Sequence, residues 1–276
     1  MPEQKPAPAS RMPDARYFQI AALSSLLLIN FWRIDFGANP LASAVAIGSS
    51  LITQFVCARL FGAPIDLRSP LITGLSLSLL LRADALWLYA AAGAIAIASK
   101  FALRLNGKHI FNPAGLAIVI LLFAAQGVWI SPGQWGTDIW FAALLGCLAI
   151  LVLSAARRAD IAIYFLGCHA ALLVARALWL GDPLAIPLHQ LQSGSLLIFA
   201  FFMISDPRTS PDSAPGRLLF ACAVACLAHY MAFFIQMRPA LYFALILLSP
   251  ATLLIDRLIP AQAFTWRDGA PQGVSR

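Results

Sequence analysis

Charged side chains are scarce in this chain. Only 11% of its 276 residues are Asp, Glu, Lys or Arg, against roughly 25% in an ordinary soluble domain. Mean hydropathy is +0.80. A surface so poor in charge cannot face water, so the sequence is read as an integral membrane protein. A dense basic face is also missing: the net charge of +7 is dispersed between apolar runs, and nucleic acid is not an expected partner. The five cysteines, Cys57, Cys147, Cys168, Cys222 and Cys226, lie in apolar runs without CxxC spacing, which argues against a disulfide framework or a zinc site. Cys222 and Cys226 share a helix face at i, i+4 but lack the partners that an iron–sulfur centre needs. There is no Ser-His-Asp set, no P-loop and no pair of carboxylates within a span, so hydrolytic and phosphoryl-transfer chemistry have no support.

Apolar runs fill most of the remainder. The pattern predicts ten segments: about 17–34, 40–61, 70–82, 85–104, 110–130, 137–155, 161–180, 193–206, 216–236 and 239–258. A hydrocarbon core of ~30 Å needs about 20 helical residues, and two segments, 69–81 and 193–207, fall short. Residues 1–16 read as a disordered tail with no cleavable signal pattern, 17–258 as the membrane domain, and 259–276 as a loose C-terminal tail. With the N-terminus inside and all ten segments crossing, most Lys and Arg fall on the N-terminal side. Arg33, Arg82, Arg176 and Arg238 fall on or near the other. This asymmetry obeys the positive-inside rule and sets both termini in the cytoplasm. The short segments are third and eighth of ten. That placement predicts a 5+5 inverted repeat, with halves at about 17–130 and 137–258, around two short or broken helices near a central site.

Three stretches punctuate the grease. Ser69-Pro70-Leu71-Ile72-Thr73-Gly74-Leu75-Ser76-Leu77-Ser78 opens the third segment: Ser69 reads as a cap, Pro70 as a first-turn residue. The small and hydroxyl residues suit close helix packing or a flat ligand. Gly107-Lys108-His109-Ile110-Phe111-Asn112-Pro113 starts the fifth. Asn112 reads as an N-cap with Pro113 at the first helical position. Lys108 is either a topology charge or a contact for a phosphate or quinone-like oxygen. Ser205-Asp206-Pro207-Arg208-Thr209-Ser210-Pro211 closes the eighth. It is either a capped cytoplasmic turn, with Arg208 partnering Asp206, or an ion or cofactor contact at a broken helix end. His169 and His229, inside spans, read as buried helix histidines more readily than as haem ligands.

In this order and spacing the three stretches, with Gly216-Arg217-Leu218-Leu219-Phe220 after the last, resemble the NqrB/RnfD family. Its members are the NqrB membrane protein of the sodium-pumping NADH:quinone oxidoreductase and the RnfD membrane protein of the Rnf electron-transport complex. That family has TGL-, FNPA- and DPxTSP-type segments like these. The resemblance covers roughly residues 65–258. It implies an all-α membrane protein of about ten helices in an inverted repeat, similar to urea and ammonium transporters, in the bacterial inner membrane. Family members usually bind FMN covalently through an SGAT-type threonine. This chain has no such stretch; Ser131-Pro132-Gly133-Gln134-Trp135-Gly136-Thr137 stands in about that region without matching. The Gly-Ser-x-Gly-Glu stretch expected before the eighth segment is also missing, with only Gln192-Ser193-Gly194-Ser195 near that place. Covalent FMN is therefore not expected.

The resulting expectation is a membrane subunit that passes electrons through a noncovalent flavin (FMN or riboflavin) or works with a partner flavoprotein and other electron-transport subunits. The resemblance also allows coupled ion movement, and lipid surrounds the chain. Thr73, Ser76, Asn112 and Asp206 would hydrogen-bond the flavin, with Lys108, His109, Arg208 and Thr209 at its cytoplasmic edge. A channel or carrier for a small polar solute, and a membrane anchor for redox partners, are the competing readings.

Overall fold

The computed structural model describes residues 14–33, 39–105, 107–131 and 158–264. The sixth expected segment, 137–155, lies outside them. The described chain is mainly helical: α1 (Ala15–Arg33), α2 (Pro40–Leu60), α3 (Arg68–Leu80), α4 (Leu86–Ala102), α5 (Pro113–Ala124), α6 (Ala159–Leu180), α7 (Ala185–Leu191), α8 (Gly194–Ile198), α9 (Ala214–Phe233), α10 (Ala240–Leu248) and α11 (Ala251–Leu258). A π-helical turn, Phe199–Met203, continues α8. Three helices, α2, α6 and α9, are long and apolar enough to cross a membrane. The bent pairs α7–α8, with its π turn, and α10–α11 raise that number to five if each pair is one span.

Local chemistry sets several helix starts. Asn39 accepts from the N–H groups of Leu41 (2.8 Å) and Ala42, Asn112 from Gly115 (3.0 Å), and Ser213 from Gly216 (3.1 Å). Each is followed by a proline in the first turn, where the missing N–H costs nothing. Ser69 does not cap α3. The helix begins one residue earlier, and Asp66 accepts the Arg68 N–H at 3.0 Å instead. Thr73, Ser78 and Ser249 return their hydroxyls to the carbonyl four residues back, which satisfies them without a solvent partner.

The third and fifth segments end differently from the expectation of continuous helix. Beyond α3 and α5 the chain becomes extended, and β1 (Leu81–Ala83) pairs antiparallel with β4 (Val128–Ile130), Arg82 opposite Trp129. Gly127 permits the turn with φ +69°, and the Asp84 carboxylate sits where its Cβ would be. A second ladder, β2 (Arg104–Leu105) with β3 (Lys108–His109), forms a hairpin between α4 and α5. The tenth segment is broken too. Pro250 has no N–H to continue the helical ladder, and α10 and α11 meet at a bend of 49°. The same bend separates α7 from α8.

Packing is close around α2, which lies against α3 and α4. A Cβ on Gly74 would stand 2.7 Å from the Ile47 Cα, and one on Gly93 would stand 2.9 Å from the Ala46 carbonyl oxygen. Ser49 adds a hydroxyl bond to the Ala90 carbonyl at 2.6 Å. Such small-residue contacts let helices approach where no hydrophobic driving force separates them from lipid. The hydrophobic core continues through Leu77, Ile118, Phe165, Phe199 and Phe220. Helices α5 and α10 also lie against each other.

Candidate functional site

Two of the three punctuating stretches meet. The hairpin and start of α5 lie against the turn that follows the π segment. Asn112 uses both ends of its amide: Oδ1 caps α5, and Nδ2 donates to the Met203 carbonyl at 3.4 Å. Arg208 donates to the Gly107 carbonyl at 3.4 Å. At Gly115 an added Cβ would stand 3.1 Å from the Met203 methyl, which would have to shift by a few tenths of an ångström.

The Asp206 turn is built locally. Asp206 Oδ1 accepts the Arg208 N–H at 3.0 Å, while its carbonyl accepts the N–H groups of Thr209 and Ser210 and a long bond from the Thr209 hydroxyl. This is an Asx-type turn. The expected partnership with Arg208 therefore takes a different form: Asp206 binds the Arg208 backbone, and the guanidinium reaches the hairpin.

Lys108 is not a free cation. Its ammonium meets Asp256 Oδ2 at 2.5 Å and Asp212 Oδ2 at 3.2 Å. Asp256 also accepts the Asp212 N–H at 2.8 Å. Arg158 adds a 3.6 Å pairing to Asp212 and donates to the Pro211 carbonyl. Arg217 joins Asp160 at 2.6 Å and donates to the Asp212 carbonyl. Both carboxylates already face Lys108, which argues against a phosphate there. The arrangement is a clamp between the hairpin, the loop before α9, and α11.

Lys100 was legible in the sequence only as a topology charge. It is 7% exposed, and its ammonium donates to the Ser69 hydroxyl at 2.6 Å, tying α4 to the start of α3. Among the described residues no carboxylate lies within ion-pair reach of it, although it feels Asp206 and Asp66 at longer range. His109 is its neighbour. Burial, then Lys100, Arg208 and Arg104, push the imidazole down to about 3, so it is neutral at physiological pH. Its Nδ1 is buried without a hydrogen-bond partner, and so is the Ser210 hydroxyl.

The Ser69–Ser78 stretch meets this group only at Ser69, the acceptor of the Lys100 bond. Thr73 donates to the Ser69 carbonyl at 3.0 Å; Ser76 is buried and makes no side-chain hydrogen bond among the described residues. A further network fastens α1 to α3: Asp14 pairs with Arg16 at 2.5 Å and Arg68 at 2.9 Å, and Asp66 pairs with Arg16 and with Arg68 at 3.0 Å. Burial pushes the Asp66 carboxyl up, but Arg68 and Arg16 bring it below its usual value. Among the described residues no cluster of His, Cys, Asp or Glu is arranged to hold a metal.

The model of the NQR2, RnfD, RnfE family matches residues 126–265, half of the chain, including the turn, Asp212 and Asp256. The D subunit of the ion-translocating oxidoreductase complex of Stutzerimonas stutzeri is 38% identical over 77 residues, 28% of this chain and 22% of that protein. The D subunits of the same complex in Shewanella amazonensis and Halorhodospira halophila are each 35% identical, over 86 and 85 residues. Those matches cover 31% and 30% of this chain, and 25% and 24% of the relatives. The matching stretch thus spans about a quarter of the length of these relatives. With a family match over half its residues and the helices of a multi-pass membrane protein, the chain belongs to the NQR2, RnfD, RnfE family.

Proposed function

We propose that the chain is a membrane subunit of an ion-translocating electron-transport complex, set in the bacterial inner membrane with both termini in the cytoplasm. The observation that carries this reading is the seam where the hairpin meets the Asp206 turn. It brings Lys100, His109 and Asp206 to the ends of broken or shortened helices, within a family whose relatives are subunits of such complexes. Departures from straight helix at the third, fifth, eighth and tenth segments support the 5+5 inverted repeat.

The residues fit a noncovalent flavin only in part. Thr73, Asn112 and Thr209 already hydrogen-bond within the protein, and Lys108 is paired with two carboxylates. His109 Nδ1, Ser210 Oγ and Ser76 supply polar groups without partners. Lys100 and Arg208 supply positive charge. A flavin bound at this seam would accept and release electrons one or two at a time; His109 and Ser210 would offer it their unpartnered polar atoms. Asn112, Asp206, Arg208 and Thr209 would fix the backbone around it. The polar groups already held inside the protein favour a second reading, in which the flavin belongs to another protein of the complex and this chain supplies the ion-responsive seam and the anchor.

Absorbance spectra and mass analysis of the purified chain separate the two. Stoichiometric flavin that is lost in Asp206→Asn supports the first reading. A colourless chain that copurifies with a flavoprotein supports the second. Solute flux through a colourless chain with no redox partner would overturn both.

A further inference from the structure

A second polar region lies away from the seam. A cavity of about 750 Å³ opens between the C-terminal parts of α6 and α9, α7, the start of α8 and the start of α10. The helices fix its depth. Asp160 and Arg217 tie the starts of α6 and α9 at the clamp. Both helices rise away from it at 1.5 Å per residue. His169 therefore lies ~15 Å along α6 from that end, and the mouth lies at the opposite membrane face.

The lining is divided. Leu173, Leu196, Ala228, Phe233 and Leu241 form apolar walls, while His189, Gln190, Gln192, Gln236 and Arg238 form a polar mouth. Among the described residues no carboxylate lines it. Arg238 is exposed and has no ion-pair partner among the described residues. A nearby ion pair is closed on itself: Asp182 is held by Arg176 at 3.7 Å, and Arg176 lies over the Phe233 ring at 4.2 Å. Deeper in, His169 has a buried, unpartnered Nδ1, and Ser193 and Ser195 share a 3.0 Å hydroxyl contact. The rim is strained as well. Gln236 has φ +59°, where glycine or asparagine usually ends a helix. A long amide side chain is kept at the mouth despite that conformation, whereas α6 ends conventionally at Gly181.

An apolar wall, a cation without a carboxylate partner among the described residues, and amide donors at one membrane face match one ligand chemistry. We propose that this cavity binds an anionic phospholipid of that leaflet. The phosphate sits at Arg238 with Gln190, Gln192 and Gln236 around it. An ester oxygen faces His169 and the Ser193–Ser195 pair, and an acyl chain lies along Leu173, Phe233 and Leu241. This assignment is independent of the function proposed above, since it uses none of the seam residues.

The test uses the full chain, reconstituted in nanodiscs of phosphatidylcholine with a minor fraction of phosphatidylglycerol, then extracted mildly and examined by native mass spectrometry. The expected result is one retained phosphatidylglycerol per chain in preference to phosphatidylcholine. Arg238→Gln should lower that retention about tenfold, as for loss of a hydrogen bond to a charged group, and Arg238→Lys should restore part of it. An unchanged thermal unfolding midpoint in Arg238→Gln shows that the fold is intact; should that variant unfold, Gln192→Ala supplies the same comparison at the mouth. Equal retention of the two lipids, or displacement of the lipid by millimolar inorganic phosphate, would overturn the proposal, the latter assigning the site to free anions.

Discussion

Lys100 and Lys108 are eight positions apart in sequence and serve opposite electrostatic arrangements. Lys108 is matched by two carboxylates, which are themselves held by Arg158 and a backbone N–H. Lys100 is more deeply buried, yet its direct partner is a neutral hydroxyl. Around it, His109 and Ser210 keep polar atoms without partners. One region closes its charge contacts and works as a fastening. The other leaves capacity unfilled, as groups that must meet an ion, a proton or a cofactor do. Charge near the membrane boundary is thus a poor guide to function until its partners are known.

Substitutions can break this contrast, beginning with the largest effect. Lys108→Ala leaves Asp212 and Asp256 facing each other and should cost about 3 kcal/mol, read by denaturant or thermal unfolding in detergent. Asn112→Ala removes a helix cap and the bond to Met203; a loss of about 1–2 kcal/mol is expected. Lys100→Met should change stability by less than about 1 kcal/mol, because an apolar residue replaces a charge without a carboxylate partner. Under the function proposed above, it should also lower electron transfer or coupled ion movement in the assembled complex. A Lys100→Met variant that is as destabilised as Lys108→Ala would erase the distinction.

The smallest effect is a pH dependence. His109 is held well below its ordinary value in the folded chain, so the unfolded chain binds the proton more readily. The sign follows from linkage: its contribution is present above pH ~6.5 and declines as pH falls toward the folded value. In His109→Asn, the slope of unfolding midpoint against pH below ~6.5 should flatten; an unchanged slope would remove His109 from this role.

What the sequence revealed was mostly local. Asn112-Pro113 starts a helix as its chemistry requires, and the family motifs identify two loops that do meet. The break in the tenth segment was written at Ser249-Pro250, but an apolar run on both sides conceals it. Lys100 carried no local signal at all: a lysine near a helix end reads as an interface charge until its burial is known. The strand ladder from Leu81 to Ile130 and the pairing of Lys108 with Asp256 join positions far apart, so neither periodicity nor capping reports them. Thr73 shows the converse. A hydroxyl in a small-residue stretch suggests a ligand contact, yet the carbonyl at Ser69 was within its reach all along.

The clamp has a consequence for biogenesis. Lys108 and Asp256 are separated by 148 positions, and at 5–20 residues per second the ribosome needs roughly 7 to 30 s to make the stretch between them. During that interval the hairpin must enter or border the bilayer with its lysine unmatched, while Asp212 and then Asp256 emerge. The carboxylate of closest approach arrives on α11, so a late step of synthesis also ties that helix to the hairpin. Chains that stop short of that helix would hold Lys108 by Asp212 alone, without its shorter contact.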